Sequence, residues 1–149
     1  TGFGPGTALV TSADAPSLDA VYKLVAVEDD GECRPTTKLS AGKVTYPGRK
    51  SVRRVERGGQ FRADTLALRG ESGRGDEQLV EVFDGGDLAY SLPSLSAVRE
   101  RARNQVRKLP PTVRELRDPD AYPVRIGDGL RATTRAVRDD LARRYRDTG

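Results

Sequence analysis

Residues 51–68, SVRRVERGGQFRADTLAL, decide the fold. Ser51 to Val55 and Phe61 to Leu68 are short runs rich in β-favouring residues, and the turn signal Gly58-Gly59 stands between them, which predicts strand, turn, strand. Toward the N-terminus the pattern repeats. Val44 to Tyr46 is a short run closed by Pro47-Gly48, and Val21 to Val27, VYKLVAV, reads as a strand with Val21, Lys23 and Val25 on one face, ending at the turn-forming EDDG. Toward the C-terminus, Gln78 to Phe83 is a further strand, and Gly70 to Asp76, GESGRGD, reads as an exposed hairpin loop whose RGD is a chance tripeptide. Strands in succession with no helical period between them predict an antiparallel sheet.

From Pro93 the period changes. Leu95, Val98, Ala102, Val106 and Leu109 recur at spacings of three and four, one face of a helix that Pro110-Pro111 stops. Thr112 to Glu115 has the form of a capping box and predicts a short second helix carrying Val113 and Leu116. Arg117 to Pro123 is a break. A last helix is predicted from about Asp128 to Tyr145, with Leu130, Thr134, Val137, Leu141 and Tyr145 as its buried stripe and Asp139/Arg143 and Asp140/Arg144 as exposed ion pairs four apart. The fold class is α+β, with short, mainly antiparallel strands followed by C-terminal helices.

The bulk properties narrow the function. A chain of 149 residues with 36% hydrophobic and 32% charged side chains and a mean hydropathy of -0.62 suits one folded domain with a thin core. No apolar run approaches the roughly 18 residues that span a bilayer. The start, TGFGPGTALV, lacks Met and a basic, apolar leader, which fits a processed or excised fragment. A single cysteine, Cys33, and no histidine leave no zinc-ligand set, no Ser/His or Cys/His pair and no histidine acid or base, and suit a reducing compartment. Any chemistry rests on Lys, Arg, carboxylates, hydroxyls or backbone amides. The net charge of +4 is concentrated in the tail, where residues 94–149 hold 14 Lys/Arg against 8 Asp/Glu while residues 1–93 hold 12 against 14. The tail reads as a solvated helix face. The alternative is a small basic nucleic-acid-binding module, for which the sequence has a pI near 9.5 but only five tyrosines, three phenylalanines and no aromatic-basic recognition motif.

Four features carry possible chemistry. In Phe3-Gly4-Pro5-Gly6-Thr7 the glycines let backbone N–H groups approach a ligand and the threonine hydroxyl adds a hydrogen bond, the makings of a phosphate cradle or of a plain turn. Lys23 in a strand, with Lys38, Lys43 and Lys50 in the following turns, are point charges that either converge on a pyrophosphate or line a solvent face. Tyr46-Pro47-Gly48-Arg49-Lys50 couples a tight turn to two cations, closing over an anion or keeping a hairpin soluble. The carboxylates Asp14, Asp19, Glu28, Asp29 and Asp30 read as turn and capping residues.

These features stand in a recognisable order. FGPGTALVTSADAPSLDAVYKLVAV (3–27), KLSAGKVTYPGRKSVRRV (38–55) and LPSLSAVRERARNQVRKLPPTVRELRDPDAYPVRI (92–126) resemble, collinearly, the C-terminal portion of nicotinate phosphoribosyltransferases, with Gly70 to Asp76 as the loosest part. The resemblance implies a two-domain phosphoribosyltransferase whose α/β barrel lies upstream. Residues 1–20 would end that barrel and carry its phosphate-side loop, 21–92 would form the β-rich part of the smaller domain, and 93–149 its helical segment. It implies an enzyme of the ATP-dependent ligase class in NAD (pyridine nucleotide) biosynthesis. That enzyme joins nicotinate to 5-phosphoribosyl 1-pyrophosphate, giving nicotinate mononucleotide and pyrophosphate with coupled ATP hydrolysis.

In that family the loop matching Gly4, Gly6 and Thr7 contacts phosphoribosyl pyrophosphate, Thr7 first, and Pro5 departs from the small aliphatic residue often found there. Related nicotinamide-using enzymes place lysines near the phosphates at positions comparable to Lys23 and Lys38. ATP and Mg2+ serve the full-length enzyme and neither is expected on these residues alone. With no histidine here, the phosphorylated histidine of the family falls upstream, so no catalytic residue and no metal ligand is expected in this chain, which alone is expected to be inactive. A homodimer when full length, a cytoplasmic location, and no nucleic-acid or membrane partner complete the expectation.

Overall fold

The structure, a computed structural model, describes residues 23–39 and 45–147. It is α+β, as the sequence predicts. Strands β1 (Ala26–Asp29) and β2 (Glu32–Pro35) form one hairpin. Strands β3 (Lys50–Arg57), β4 (Gln60–Leu68), β5 (Asp76–Glu77) and β8 (Val124–Ile126) form the main sheet in the order β5-β3-β4-β8, and β6 (Phe83–Asp84) pairs with β7 (Asp87–Leu88). Helices α1 (Leu95–Lys108) and α2 (Asp128–Asp147) follow, with a single 3₁₀ turn at Pro111–Arg114 between α1 and β8.

The three hairpins among the described residues close through two residues each, Asp30-Gly31, Gly58-Gly59 and Gly85-Gly86, and each of these residues has a positive φ. Such turns twist with the strands they join, and a glycine reaches that backbone region without Cβ strain. The predicted strand pair 51–68 is the backbone of the molecule: Lys50 to Arg57 pairs with Gln60 to Leu68, with a bulge at Val55/Glu56.

One side of β4 is covered by the antiparallel β3 and the other by β8, which runs parallel to it, Asp64 opposite Val124 and Leu66 opposite Ile126. That parallel pair is the exception to the expected antiparallel sheet. It needs a long crossover, here the stretch containing α1. It also draws a strand from the 93–149 segment into the sheet of the 21–92 segment. Phe61, Ala63, Ala67 and Leu130 are the buried hydrophobic side chains among the described residues, and Pro47 is also fully buried. The core is therefore β4 and the first turns of α2.

Several expectations shift. The strand predicted over Val21 to Val27 begins only at Ala26, Val21 lying outside the described residues, because the Val25 carbonyl instead accepts the amides of Thr36 (2.9 Å) and Gly48 (2.7 Å). Val44 lies outside the described residues, and Thr45-Tyr46 is not a strand: side chains take its carbonyls, Thr37 Oγ1 donating to Thr45 (2.5 Å) and Lys50 Nζ to Tyr46 (2.7 Å). The predicted strand Gln78 to Phe83 reduces to Phe83 in β6, after β5 at Asp76–Glu77: the Gln78 amide still reaches the Val52 carbonyl of β3 (2.8 Å), but the Val52 amide is taken by the Glu77 side chain (3.1 Å) and the ladder ends there.

Gly70 to Gly75 is an exposed turn segment but not a hairpin loop, since it carries the chain from β4 past β3 to β5. Gly75 makes the passage tight: its φ is +100°, and a Cβ there would stand 2.5 Å from the Arg54 carbonyl oxygen. The short helix predicted at Thr112 to Glu115 is the 3₁₀ turn, which leaves Leu116 fully exposed. Helix α2 holds its expected stripe as far as Leu130 and Thr134, half-buries Val137 and Leu141, and leaves Tyr145 exposed. Asp140 pairs with both Arg143 (3.6 Å) and Arg144 (2.9 Å), replacing the expected Asp139/Arg143 pair.

Helix α1 has the predicted bounds and the predicted Leu/Val stripe, capped by Ser94, whose Oγ accepts the Ala97 amide at 3.3 Å. No residue of it is buried. Leu95, Val98 and Val106 stand open, as do Leu79, Val80, Phe83, Leu88 and Leu92 before it.

Candidate functional site

The expected phosphate cradle, Gly4, Gly6 and Thr7, lies outside the described residues. Lys23 and Lys38 are described, and both are exposed. Lys38 follows Thr37, a buried residue whose hydroxyl donates to the Thr45 carbonyl and so ties the strand-2 exit to the YPGRK turn. Lys38 thus projects from an anchored loop and Lys23 precedes the anchored Val25, a few residues away along the same hydrogen-bonded junction.

The turn cations are differently employed. Lys50 Nζ donates to the Tyr46 carbonyl (2.7 Å) and the Gly48 carbonyl (2.6 Å), and its partial burial pulls its pKa below the ordinary lysine value. It closes the turn on itself. Arg49 lies 3.6 Å from Glu28, in the EDDG segment. Of the five early carboxylates, Asp29 pairs with Arg34 across the first hairpin and Asp30 occupies its turn, which are structural tasks, as the sequence suggests. Asp14 and Asp19 lie outside the described residues.

Two ionic arrangements were not legible in the sequence. Asp64 is buried in β4 and receives Arg54 in a bidentate pair, Nε to Oδ1 at 2.8 Å and Nη2 to Oδ2 at 2.7 Å, while the Tyr122 hydroxyl donates to Oδ1 at 3.0 Å. The Arg54 hydrogen bonds hold the Asp64 carboxyl below its usual range, burial raises the Tyr122 phenol, and the hydrogen bonds with Asp64 raise Arg54. The Arg54 guanidinium also lies 4.6 Å from the Phe61 ring centroid, and Lys108 of α1 lies 5.7 Å from it while bridging to Glu56 at 2.8 Å. Tyr122 stands two residues before the start of β8, so this cluster locks the incoming parallel strand to β4.

The second is Glu71, in the loop just after β4. Its Oε2 accepts the Leu68 amide (3.0 Å) and its Oε1 the Gly129 amide (2.9 Å) in the first turn of α2. Those amides keep its carboxyl below the usual value, and a carboxylate at a helix N-terminus also meets the positive end of the helix dipole. It sits so close that a Cβ on Gly127 would stand 2.6 Å from Oε1. Neither cluster has an open coordination position or an acid/base partner, and both read as fasteners.

Among the described residues no group of three or more His, Cys, Asp or Glu is placed to hold a metal ion. The Mg2+ that the resemblance implies therefore has no fitting ligand set there. No helix among the described residues is long and apolar enough to cross a membrane.

With that geometry in hand, the likeness to known proteins is specific. The nicotinate phosphoribosyltransferase C-terminal domain family matches residues 74–134, from the loop before β5 into α2. Nicotinate phosphoribosyltransferase pncB2 of Mycobacterium tuberculosis is 46% identical over 131 residues, covering 87% of this chain and 27% of that protein. The nicotinate phosphoribosyltransferase of Bacillus subtilis is 30% identical over 153 residues, covering 85% of this chain and 31% of it. The crystal structure of human nicotinic acid phosphoribosyltransferase superposes with a TM-score of 0.57 at 26% identity, over 62% of this chain and 23% of that one.

The chain is thus an α+β segment similar to part of a phosphoribosyltransferase. It resembles the C-terminal portion of nicotinate phosphoribosyltransferase and spans between a quarter and a third of the length of these two bacterial relatives.

Proposed function

We propose that this chain is the C-terminal support of a nicotinate phosphoribosyltransferase, the enzyme that joins nicotinate to 5-phosphoribosyl 1-pyrophosphate in NAD biosynthesis with coupled ATP hydrolysis. The observation that carries the reading is the 46% identity with the M. tuberculosis enzyme over 131 residues of this chain. Gly4, Gly6 and Thr7 contact phosphoribosyl pyrophosphate from the barrel edge, and Lys23 and Lys38 add positive charge near its phosphates. In the reaction negative charge gathers on the departing pyrophosphate, so fixed ammonium groups lower the barrier electrostatically. ATP and Mg2+ act in the upstream barrel of a cytoplasmic homodimer, not on the residues described here.

The exposed apolar face of α1 and the open side chains from Leu79 to Leu92 support a bracing role. Both are surfaces of the kind that bury against a larger body, and the relatives supply such a body in the remaining two-thirds or more of their length. The test is the full-length enzyme with Thr7→Ala. The expected result is a KM for phosphoribosyl pyrophosphate raised about 10-fold or more, the loss of a charge-assisted hydrogen bond worth roughly 1.5–3 kcal/mol, while the 149-residue chain alone forms no nicotinate mononucleotide. Unchanged kinetics in Thr7→Ala would remove the loop from the substrate site, and turnover by the 149 residues alone would overturn the supporting role.

A further inference from the structure

Two features that stand far apart in the sequence meet in the fold. The turn Tyr46 to Lys50 has its own cations engaged elsewhere, Lys50 on backbone carbonyls and Arg49 at Glu28. The basic tail, however, brings three new ones to the same place. Arg131, Arg135 and Arg138 lie at i, i+4 and i+7 on α2, one face of a helix. With Tyr46 and Ile126 they line an open cavity of about 420 Å³, the size range of small-molecule sites.

Arg131 is oriented, its Nε donating to the Ile126 carbonyl at 3.1 Å, which leaves its terminal nitrogens for the cavity. Thr134 contributes no free donor, because its hydroxyl is given to the Leu130 carbonyl at 2.6 Å. Among the described residues the single carboxylate in the lining is Asp139, and none of the three arginines forms an ion pair. Three guanidinium charges against one carboxylate leave a surplus matching a dianion, and guanidinium forks are suited to phosphate oxygens. Tyr46 and Ile126 form a wall that is aromatic and apolar, suited to a planar or apolar organic body.

We infer that this cavity binds a phosphate monoester, its phosphate on Arg131, Arg135 and Arg138 and its organic part against Tyr46. None of the residues that line it belongs to the Thr7 loop, and the inference does not rest on the proposed transferase role, so it stands or falls without it. The probe is adenosine 5′-monophosphate, titrated into the 149-residue chain by calorimetry and amide NMR at about 50 mM salt, where screening is weak. Binding tighter than about 1 mM is expected, with shifts confined to α2 and the Tyr46 turn.

Arg135→Glu/Arg138→Glu is expected to weaken it about 10-fold or more, and Arg135→Lys/Arg138→Lys to restore part of the loss, as point charges replace forks. Should the glutamate pair disturb folding by circular dichroism, Tyr46→Ala supplies the second reading, with an expected loss for the monoester and none for inorganic phosphate. No binding, binding unchanged in the folded glutamate variant, or equal affinity for inorganic phosphate and the monoester would each overturn the assignment.

Discussion

Helices α1 and α2 carry apolar stripes of the same spacing, and only α2 buries one. Leu130 of α2 has no exposure at all, whereas Leu95 of α1 is 67% exposed. Periodicity reports that a helix has an apolar face but not what covers it, because the partner is encoded elsewhere in the chain or in another part of the protein. For α2 the partner is present: β4 offers Ala63 and Ala67, small residues against which a helix approaches closely, and Glu71 pins its first turn. For α1 the neighbouring sheet supplies the Lys108 bridge to Glu56 and the face of the Phe61 ring, and no residue of α1 is buried.

The strongest way to break this contrast is to cut the buried stripe. Leu130→Ala is expected to destabilise the chain by about 2–5 kcal/mol, the cost of an apolar cavity in a small core, read as a lowered urea midpoint. Next comes the ionic lock. Asp64→Asn leaves Arg54 without a countercharge and is expected to cost about 1–3 kcal/mol at neutral pH. Its pH dependence sharpens the point. The folded carboxyl titrates below its unfolded value of about 3.9, so its contribution is complete above that value and is lost as pH falls through the folded pKa. Urea midpoints of wild type and Asp64→Asn should therefore converge on acidification, and a constant gap down to low pH would rule out the ion pair as the cause. The smallest effect belongs to α1: Leu95→Ser/Val106→Ser should change the stability of the chain by less than about 0.5 kcal/mol per site, as for exposed positions. The same pair in the full-length enzyme should cost more, and equal effects in both would deny α1 a docking role.

The readable parts of the fold were those fixed locally. Gly58-Gly59 marks a hairpin because a two-residue turn demands positive φ, and Pro110-Pro111 marks the end of α1 because a breaker acts within a turn of the chain. What stayed hidden depends on partners far off in sequence. The parallel β8 is three residues long and is held by a tyrosine 58 residues from its aspartate. Lys50 resembled an anion ligand until two carbonyls claimed it. The cavity arginines resembled a solvated face because the sequence gives no sign that Tyr46 lies across from them. Resemblance was legible where composition was not, since collinear order survives when each short motif is ambiguous.

Glu71 also sets a rule for how this chain can change length. Its two oxygens link the amide of Leu68, three residues earlier, to that of Gly129, 58 residues later. Residues inserted between Leu68 and Glu71 would pull the carboxylate off the helix, whereas residues inserted among Ser72 to Arg74 would enlarge an exposed turn at the cost of one exposed hydrogen bond, from Arg53 to the Gly73 carbonyl. Drift in loop length is thus confined to one side of a single side chain, and the segment that looks most expendable in the sequence holds the point from which the last helix is measured.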